Sequence, residues 1–441
     1  MAVDRGLSTA NPPSPPRRRV DRRAWIIVVT LFFFMLLSYA DKVVVGLAGV
    51  EMIRDIGIDS GQFGVVQSSF FWLYALGAVL GSVLVGRFPA RWLLGAVALI
   101  WVISLLPMIW STSFAVLIVS RMLLGFAEGP TAAMAFGVTH SWFPAEKRAL
   151  PTSVVAAGAS FGPIAAAPVI TAVVLEYDWH AAFAVTAAAG LVWVVVWFAM
   201  GRDGPEKAAE VPTPSSRLPE RVPYRALLTS GTVIGIAVLF FVTYCSTAIK
   251  VSWLPLYLRE GLGYDAVTAG RLITLPYLAG AVMMVVTGVV SRALTKRGVS
   301  NRLARGVLGS VLVLAGGAST VAFAVLDRGT LQMSLIIAGA ALSGAAQGVV
   351  WAALSDVIPP KQRGTVIGFV VAFYSMGGVI GPLLLGRLLD GAATPSAGYA
   401  QGFTLLGVVM IVGSLVAARL IDPERNAAAF VAAYGGAART D

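Results

Sequence analysis

The feature that most limits what this chain can become is a set of twelve apolar runs, each about as long as a bilayer crossing. A helix needs about 20 mostly apolar residues to cross the hydrocarbon core. The runs fall at 25–48, 63–86, 92–111, 114–141, 148–174, 179–200, 228–258, 266–291, 304–326, 331–357, 364–389 and 399–421. They are continuous rather than alternating, which specifies helices and not barrel strands. The expected fold is therefore all-α and polytopic, with twelve transmembrane helices. Only 12% of the residues are charged and 57% are hydrophobic, roughly half the charge of a soluble domain. That excludes a soluble enzyme, a secreted disulfide scaffold and a disordered chain. The single cysteine, Cys245, cannot make an internal disulfide, and the two histidines lie far from it. No metal or other cofactor is expected.

Residues 1–24 are rich in Pro and Arg (NPPSPPRRRVDRR) and read as a disordered cytosolic tail. The apolar run that follows is span-length and has no obvious small-residue cleavage site, so a cleaved signal is not expected. The longest polar interruption, 201–227, is a cytosolic linker between residues 25–200 and 228–421. Residues 422–441 form a second cytosolic tail. Of the 33 Lys and Arg, five (Arg54, Arg259, Arg271, Arg328, Arg387) fall on one side of the spans and three lie within them. The remaining 25 collect on the side of both termini. That asymmetry places both termini in the cytoplasm of a plasma membrane. It also accounts for the net charge of +11, so the lipid bilayer is the expected partner and nucleic acid is not.

The two halves share their punctuation. GSVLVGRFPAR (81–91) follows the second run and GVVSRALTKRG (288–298) the eighth. FPAEKR (143–148) follows the fourth and IPPKQR (358–363) the tenth. GASFGP (158–163) lies in the fifth and GGVIGP (377–382) in the eleventh. Matching elements at matching ranks predict two pseudo-symmetric six-helix bundles. Taken singly, Gly162, Pro163, Gly381 and Pro382 read as helix-packing or gating positions.

Ionisable residues inside a bilayer are costly, by roughly 2.5–3.5 kcal/mol on insertion scales, so each needs a reason. Five stand in the runs: Asp41, Lys42, Arg121, Glu128 and Lys250. Arg121 and Glu128 are seven residues apart, about 10.5 Å along one helix face. Gly125 and Gly129 lie on or near that face, which is expected to leave room for a small ligand beside the arginine. A guanidinium suits a carboxylate bidentately. Burial and neighbouring cations act on Glu128 in opposite senses, and a group balanced between them can take and release a proton. The alternative is a permanent Arg121–Glu128 or Arg121–Asp41 ion pair tying helices together. Asp41 and Lys42 point about 100° apart, so one can face a cavity and the other a neighbouring helix. Both could instead be wet at the external rim. Lys250, just before Trp253-Leu254-Pro255, either reaches an anionic ligand or snorkels outward. Asp356, beside Lys361 and Arg363, reads as part of a gate pair. Three cations against two titratable anions favour an anionic substrate. No nucleophile–base constellation or phosphate loop appears, so no catalytic residue and no enzymatic activity are expected.

Six plus six spans, the central linker and these motifs resemble the major facilitator superfamily over residues 25–421. The superfamily's motif after the second span is kept at Arg87. Gly86 stands where Asp is usual and Pro89 where Gly is usual, which removes the motif's charge relay. Arg121, Gly125 and Gly129 match its fourth-span pattern. Ser38-Tyr39-Ala40-Asp41-Lys42 further resembles the first-span signature of the anion:cation symporter branch. Arg121, Gly125 and Glu128 match that branch's fourth-span signature, and Trp253, Leu254, Pro255, Tyr257 and Leu258 its seventh. The branch includes galactonate- and hexuronate-type organic anion:proton symporters.

The resemblance implies a secondary active transporter that takes up a small organic anion with protons by alternating access. Asp41 and Glu128 would carry protons, although carboxylates can equally serve Na+. Arg121, with Lys42 in place of the usual Arg, would hold the substrate carboxylate. Tyr39 and Tyr74 would line the cavity. In the second half the candidates are Lys250, Gln347, Trp351, Tyr374 and Ser375, with ordinary packing as the alternative for the aromatics. All three Asn lie outside the runs. That scarcity of amides argues for a less hydroxylated acid, aromatic or aliphatic, over a sugar acid. A monomer is expected. GASFGP also resembles an antiporter motif, so the competing expectation is a proton-driven exporter of drugs or other organic compounds.

Overall fold

The computed structural model describes residues 22–85, 87–144, 147–205 and 218–435. The tail before Arg22, Gly86, residues 145–146, linker residues 206–217 and the last six residues lie outside them. Among the described residues, twelve helices are long and apolar enough to cross a membrane. We number them α1 (Arg22–Leu47), α2 (Ser60–Val85), α3 (Ala90–Ile109), α4 (Phe114–Trp142), α5 (Ala149–Glu176), α6 (Trp179–Met200), α7 (Gly231–Gly261), α8 (Ala266–Lys296), α9 (Arg302–Ala324), α10 (Thr330–Val357), α11 (Pro360–Asp390) and α12 (Pro395–Leu420). Their order is the expected one. The largest shift is at the end of α8, which runs to Lys296 rather than 291 because Ser-Arg-Ala-Leu-Thr-Lys continues the helix beyond its apolar stretch. The segment expected as the C-terminal tail contains a further helix, Pro423–Tyr434. Asp422 caps it by accepting from the Arg425 N–H at 3.0 Å, and Asn426 fastens it by accepting from the Thr232 hydroxyl at 2.5 Å.

Backbone polar groups have no water to turn to in hydrocarbon, so each span satisfies its own as a helix. Tryptophans on α6 then fix the first bundle. Trp193 Nε1 donates to the Thr30 carbonyl of α1 at 2.8 Å, and Trp197 Nε1 donates to the Arg91 carbonyl of α3 at 2.9 Å. Large side chains such as Phe33, Val192, Val195, Val412 and Leu415 stay exposed, which suits a lipid surrounding.

Helices approach most closely where a side chain is missing. A Cβ on Gly125 would run into the Phe70 carbonyl oxygen of α2, and one on Gly129 would run into that of Tyr74. These two glycines therefore press α4 onto α2. They do not leave space for a ligand beside Arg121, contrary to the expectation from the sequence. Gly162 packs α5 onto the Leu36 carbonyl of α1 in the same way. Gly381 packs α11 near the Cys245 carbonyl of α7. Gly125→Ala is accordingly expected to lower the melting temperature of the purified protein by several degrees, since overpacking costs about 1–3 kcal/mol. An unchanged melting temperature would show that α2 and α4 do not meet there.

The two bundles touch along α2–α11, α5–α8 and α1–α7. The ties between them gather at one end. At the end carrying the 1–2, 7–8 and 11–12 connections, the Gly61 N–H donates to Asp390 at 2.7 Å. Arg259 there forms a two-pronged pair with Glu51 at 2.7 and 2.9 Å. Phe63 meets Trp253 edge-on at 5.2 Å between ring centres. Pro255 has no N–H to bond the Val251 carbonyl four residues back, and Gly46 of α1 packs directly on that oxygen. The named ties thus lie at the end away from that where the sequence collects its positive charge.

Candidate functional site

Between the bundles lies a cavity of about 240 Å³. From the first bundle, Tyr39, Lys42, Gln67, Phe70, Phe71, Arg121 and Pro163 face it; from the second come Tyr244, Thr247, Lys250, Ser252, Tyr277 and Gln347. All three in-span cations therefore line one space. Lys250 is eleven residues from the nearer end of α7, about 16 Å along the axis, and does not snorkel to the rim.

Lys42 and Asp41 part as their helical spacing requires. Lys42 Nζ pairs with Glu128 Oε2 at 3.0 Å and lies 4.0 Å from the Tyr39 ring centre. The Tyr74 and Phe70 rings are each 5.9 Å away. Asp41 turns into the bundle and is 1% exposed, so it is not wet at a rim. Its neighbours there are Glu128, Arg121, Lys42 and the indole of Trp101. Glu128 thus pairs with Lys42 and not, as in the alternative raised by the sequence, with Arg121. Arg121 is 3% exposed. It donates to Gln67 Oε1 at 3.4 Å and lies 4.9 Å from the Phe70 ring centre. Two carboxyls and two cations thus share one buried cluster, with one face of that cluster forming cavity wall.

Tyr74 sits against Lys42, its ring centre 5.9 Å from Nζ, and does not line the cavity. Trp351, Tyr374 and Ser375 do not line the cavity. Trp351 and Tyr374 stack with Phe240 and Tyr244 beneath it; the ring centres of Phe240 and Trp351 are 4.5 Å apart, and those of Tyr244 and Tyr374 4.6 Å. Ser375 donates its hydroxyl to the Val371 carbonyl of its own helix at 2.7 Å. Large rings at these positions find more contact with one another than with an open cavity.

Asp356 pairs with Arg305 at the start of α9, not with Lys361, which reaches Glu220 at 3.2 Å. Arg363 donates to the carbonyls of Ser355 and Ile358. Arg87 is exposed in the turn after α2. Pro382 lends its carbonyl to Trp253 Nε1 at 3.2 Å. The sequence did not single out Gln67 and Trp101 of the buried cluster, nor Phe70, Phe71, Tyr244, Thr247, Ser252 and Tyr277 of the cavity wall. Gln67 is detectable as an amide inside an apolar run. Trp101 carries no signal, because tryptophan is at home in any span. Among the described residues no group of His, Cys, Asp and Glu could hold a metal ion.

Residues 31–382 match the Major Facilitator Superfamily profile. The chain is 26% identical over 400 residues to a hexuronate transporter of Bacillus subtilis, covering 88% of this chain and 92% of that protein. It is 28% identical over 411 residues to a probable sulfoacetate transporter of Cupriavidus necator, covering 88% and 91%. Among solved structures, a bacterial homologue of the human lysosomal transporter Spinster, inward-facing and occupied, superposes with a TM-score of 0.74. That match has 15% identity and covers 91% of this chain and 96% of that one.

Proposed function

The chain belongs to the major facilitator superfamily, and from that premise we propose that it takes up a small organic carboxylate together with protons by alternating access. One observation carries the reading. Two titratable carboxyls, Asp41 and Glu128, are buried against two cations, Lys42 and Arg121, and those cations form the wall of a space shared by both bundles. The hexuronate and sulfoacetate relatives, both named for organic anions, support the sign of the cargo.

The residues suggest the following order of events. With Glu128 ionised, Lys42 is occupied by its 3.0 Å pair and is not available to a ligand. A proton on Glu128 removes the charge that holds Lys42, and a proton on Asp41 removes a second negative charge near Arg121. The freed cations then meet the carboxylate of the substrate, Arg121 as a fork and Lys42 as a point charge. Buried charge is costly unless paired, so proton arrival and anion arrival favour each other. The ties between the bundles at the end away from the positive charge, together with the positive-inside rule, support reading this conformation as the one that releases substrate inward. The sequence motif that favoured an exporter, GASFGP, is used in packing α5 onto α1.

The test is a flux measurement. Purified protein is placed in liposomes loaded with a pH-sensitive dye, and carboxylates are added outside, with protein-free liposomes to subtract passive entry of neutral acids. Protein-dependent lumenal acidification with particular acids is expected. Proton movement only with organic cations would replace the proposal by the exporter.

A further inference from the structure

Lys250 is used by nothing described so far. It forms no ion pair and no hydrogen bond among the described residues, and its partner is the Tyr277 ring, 4.8 Å from Nζ to the centroid. An ammonium in a bundle interior with no counter-charge is expensive. The first bundle has no such excess, because Lys42 is matched by Glu128 and Arg121 lies beside Asp41. The uncompensated positive charge of the cavity therefore sits in the second bundle, opposite the cluster already described.

Buried hydrogen-bonding groups without a partner occur at both places, as they do at a few others. Gln67 accepts from Arg121 through Oε1, which leaves its Nε2 donor buried and unpartnered, and Arg121 Nε is buried and unpartnered as well. The hydroxyl of Tyr277 is buried and unpartnered beside Lys250. Buried donors without acceptors are rare in folded proteins and call for an explanation. Each bundle thus offers one cation with an idle donor next to it, and both sites face one cavity. The wall between them also carries Tyr39, Ser160 and Gln347. Thr247 and Ser252 already give their hydroxyl protons to carbonyls of their own helix, at 3.0 and 2.6 Å.

We infer that the substrate carries two anionic groups on a short spacer, one held by Arg121 and Gln67 and the other by Lys250 and Tyr277. The inference rests on the carboxylate reading above and goes beyond it. Such a ligand bridges α2 and α4 of one bundle to α7 and α8 of the other. It thereby links occupancy to the approach of the two bundles, which a monoanion seated at Arg121 alone would not do. A dianion also supplies Lys250 with the counter-charge that the protein withholds.

Binding to the purified protein decides it. The probes are a series of straight-chain dicarboxylates, terephthalate, and the monomethyl ester of each, which removes one charge and keeps the shape. Wild-type protein is expected to bind its best diacid at least about tenfold more tightly than the matching monoester. In Lys250→Gln the two affinities should converge, with monoester affinity little changed, and Lys250→Arg should keep the preference. Tyr277→Phe, which removes a single oxygen, should reduce it by about threefold. Monoesters that bind wild-type protein as tightly as diacids, or a preference that survives Lys250→Gln, would overturn the inference and leave the carboxylate reading standing. If no acid of either kind binds wild-type protein, that reading falls and the inference with it.

Discussion

Arg121→Ala is expected to weaken carboxylate binding by at least about a hundredfold and to abolish acid-driven proton entry into liposomes. Removing one partner of a buried, hydrogen-bonded charge pair costs roughly 2–5 kcal/mol, and Arg121 is 3% exposed. Two features favour reading the arginine as a substrate ligand over a strut. Its side chain lies on cavity wall, and its Nε has no acceptor among the described residues. Arg121→Lys keeps the charge and loses the fork, so it should retain weak binding and lie between wild type and Ala. The outcome to watch for is a variant that melts early and still binds acids normally. That result would make Arg121 a tie between α2 and α4 through Gln67 and remove it from the substrate site.

Much of this architecture is written in local composition. Each span is a run of apolar residues long enough to be recognised alone, and the repeated glycine and proline punctuation pairs the two halves. The presence of ions in the membrane is equally local, since Asp41, Lys42, Arg121, Glu128 and Lys250 stand out against their neighbours. Which ion meets which is not local. The Lys42–Glu128 pair joins α1 to α4, and nothing in either run favours it over an Arg121–Glu128 contact along a single helix. Helix geometry even argues for the latter, because residues seven apart share a face. The side chain of Lys42 wins because it crosses the short gap between α1 and α4 and reaches Glu128 at 3.0 Å. Gly125 shows the same limit from another side. A glycine beside an arginine opens room either for a ligand or for another backbone, and only the placement of α2 shows that the Phe70 carbonyl takes it. Trp351 and Tyr374 are natural candidates because they are polar aromatics within their spans. Their partners Phe240 and Tyr244 lie on α7, more than 100 residues away in the chain, so their removal from the cavity is a matter of tertiary packing.

Glu128→Gln should separate binding from coupling. Glutamine has the shape of the protonated acid and cannot lose a proton, so Lys42 would be permanently without its 3.0 Å partner and the site permanently in its anion-accepting form. Substrate exchange across a membrane with the same acid on both sides should therefore continue at a rate close to wild type. Accumulation driven by a pH gradient should fall to what the single proton on Asp41 can drive, because a site that never releases its proton cannot exchange it for the gradient. The sign of the pH dependence follows from the same pair. In wild type, raising the external pH deprotonates Glu128, restores the ion pair and takes Lys42 away from the substrate, so uptake should decline. In Glu128→Gln that decline should be absent from exchange, apart from whatever Asp41 still contributes. Asp41 is 1% exposed beside Arg121 and Trp101, and Asp41→Asn in the Glu128→Gln background should flatten the profile completely. A Glu128→Gln protein that still accumulates acid as wild type does would reduce Glu128 to a fixed counter-ion of Lys42. Proton coupling would then rest on Asp41 alone, at one proton for each anion carried.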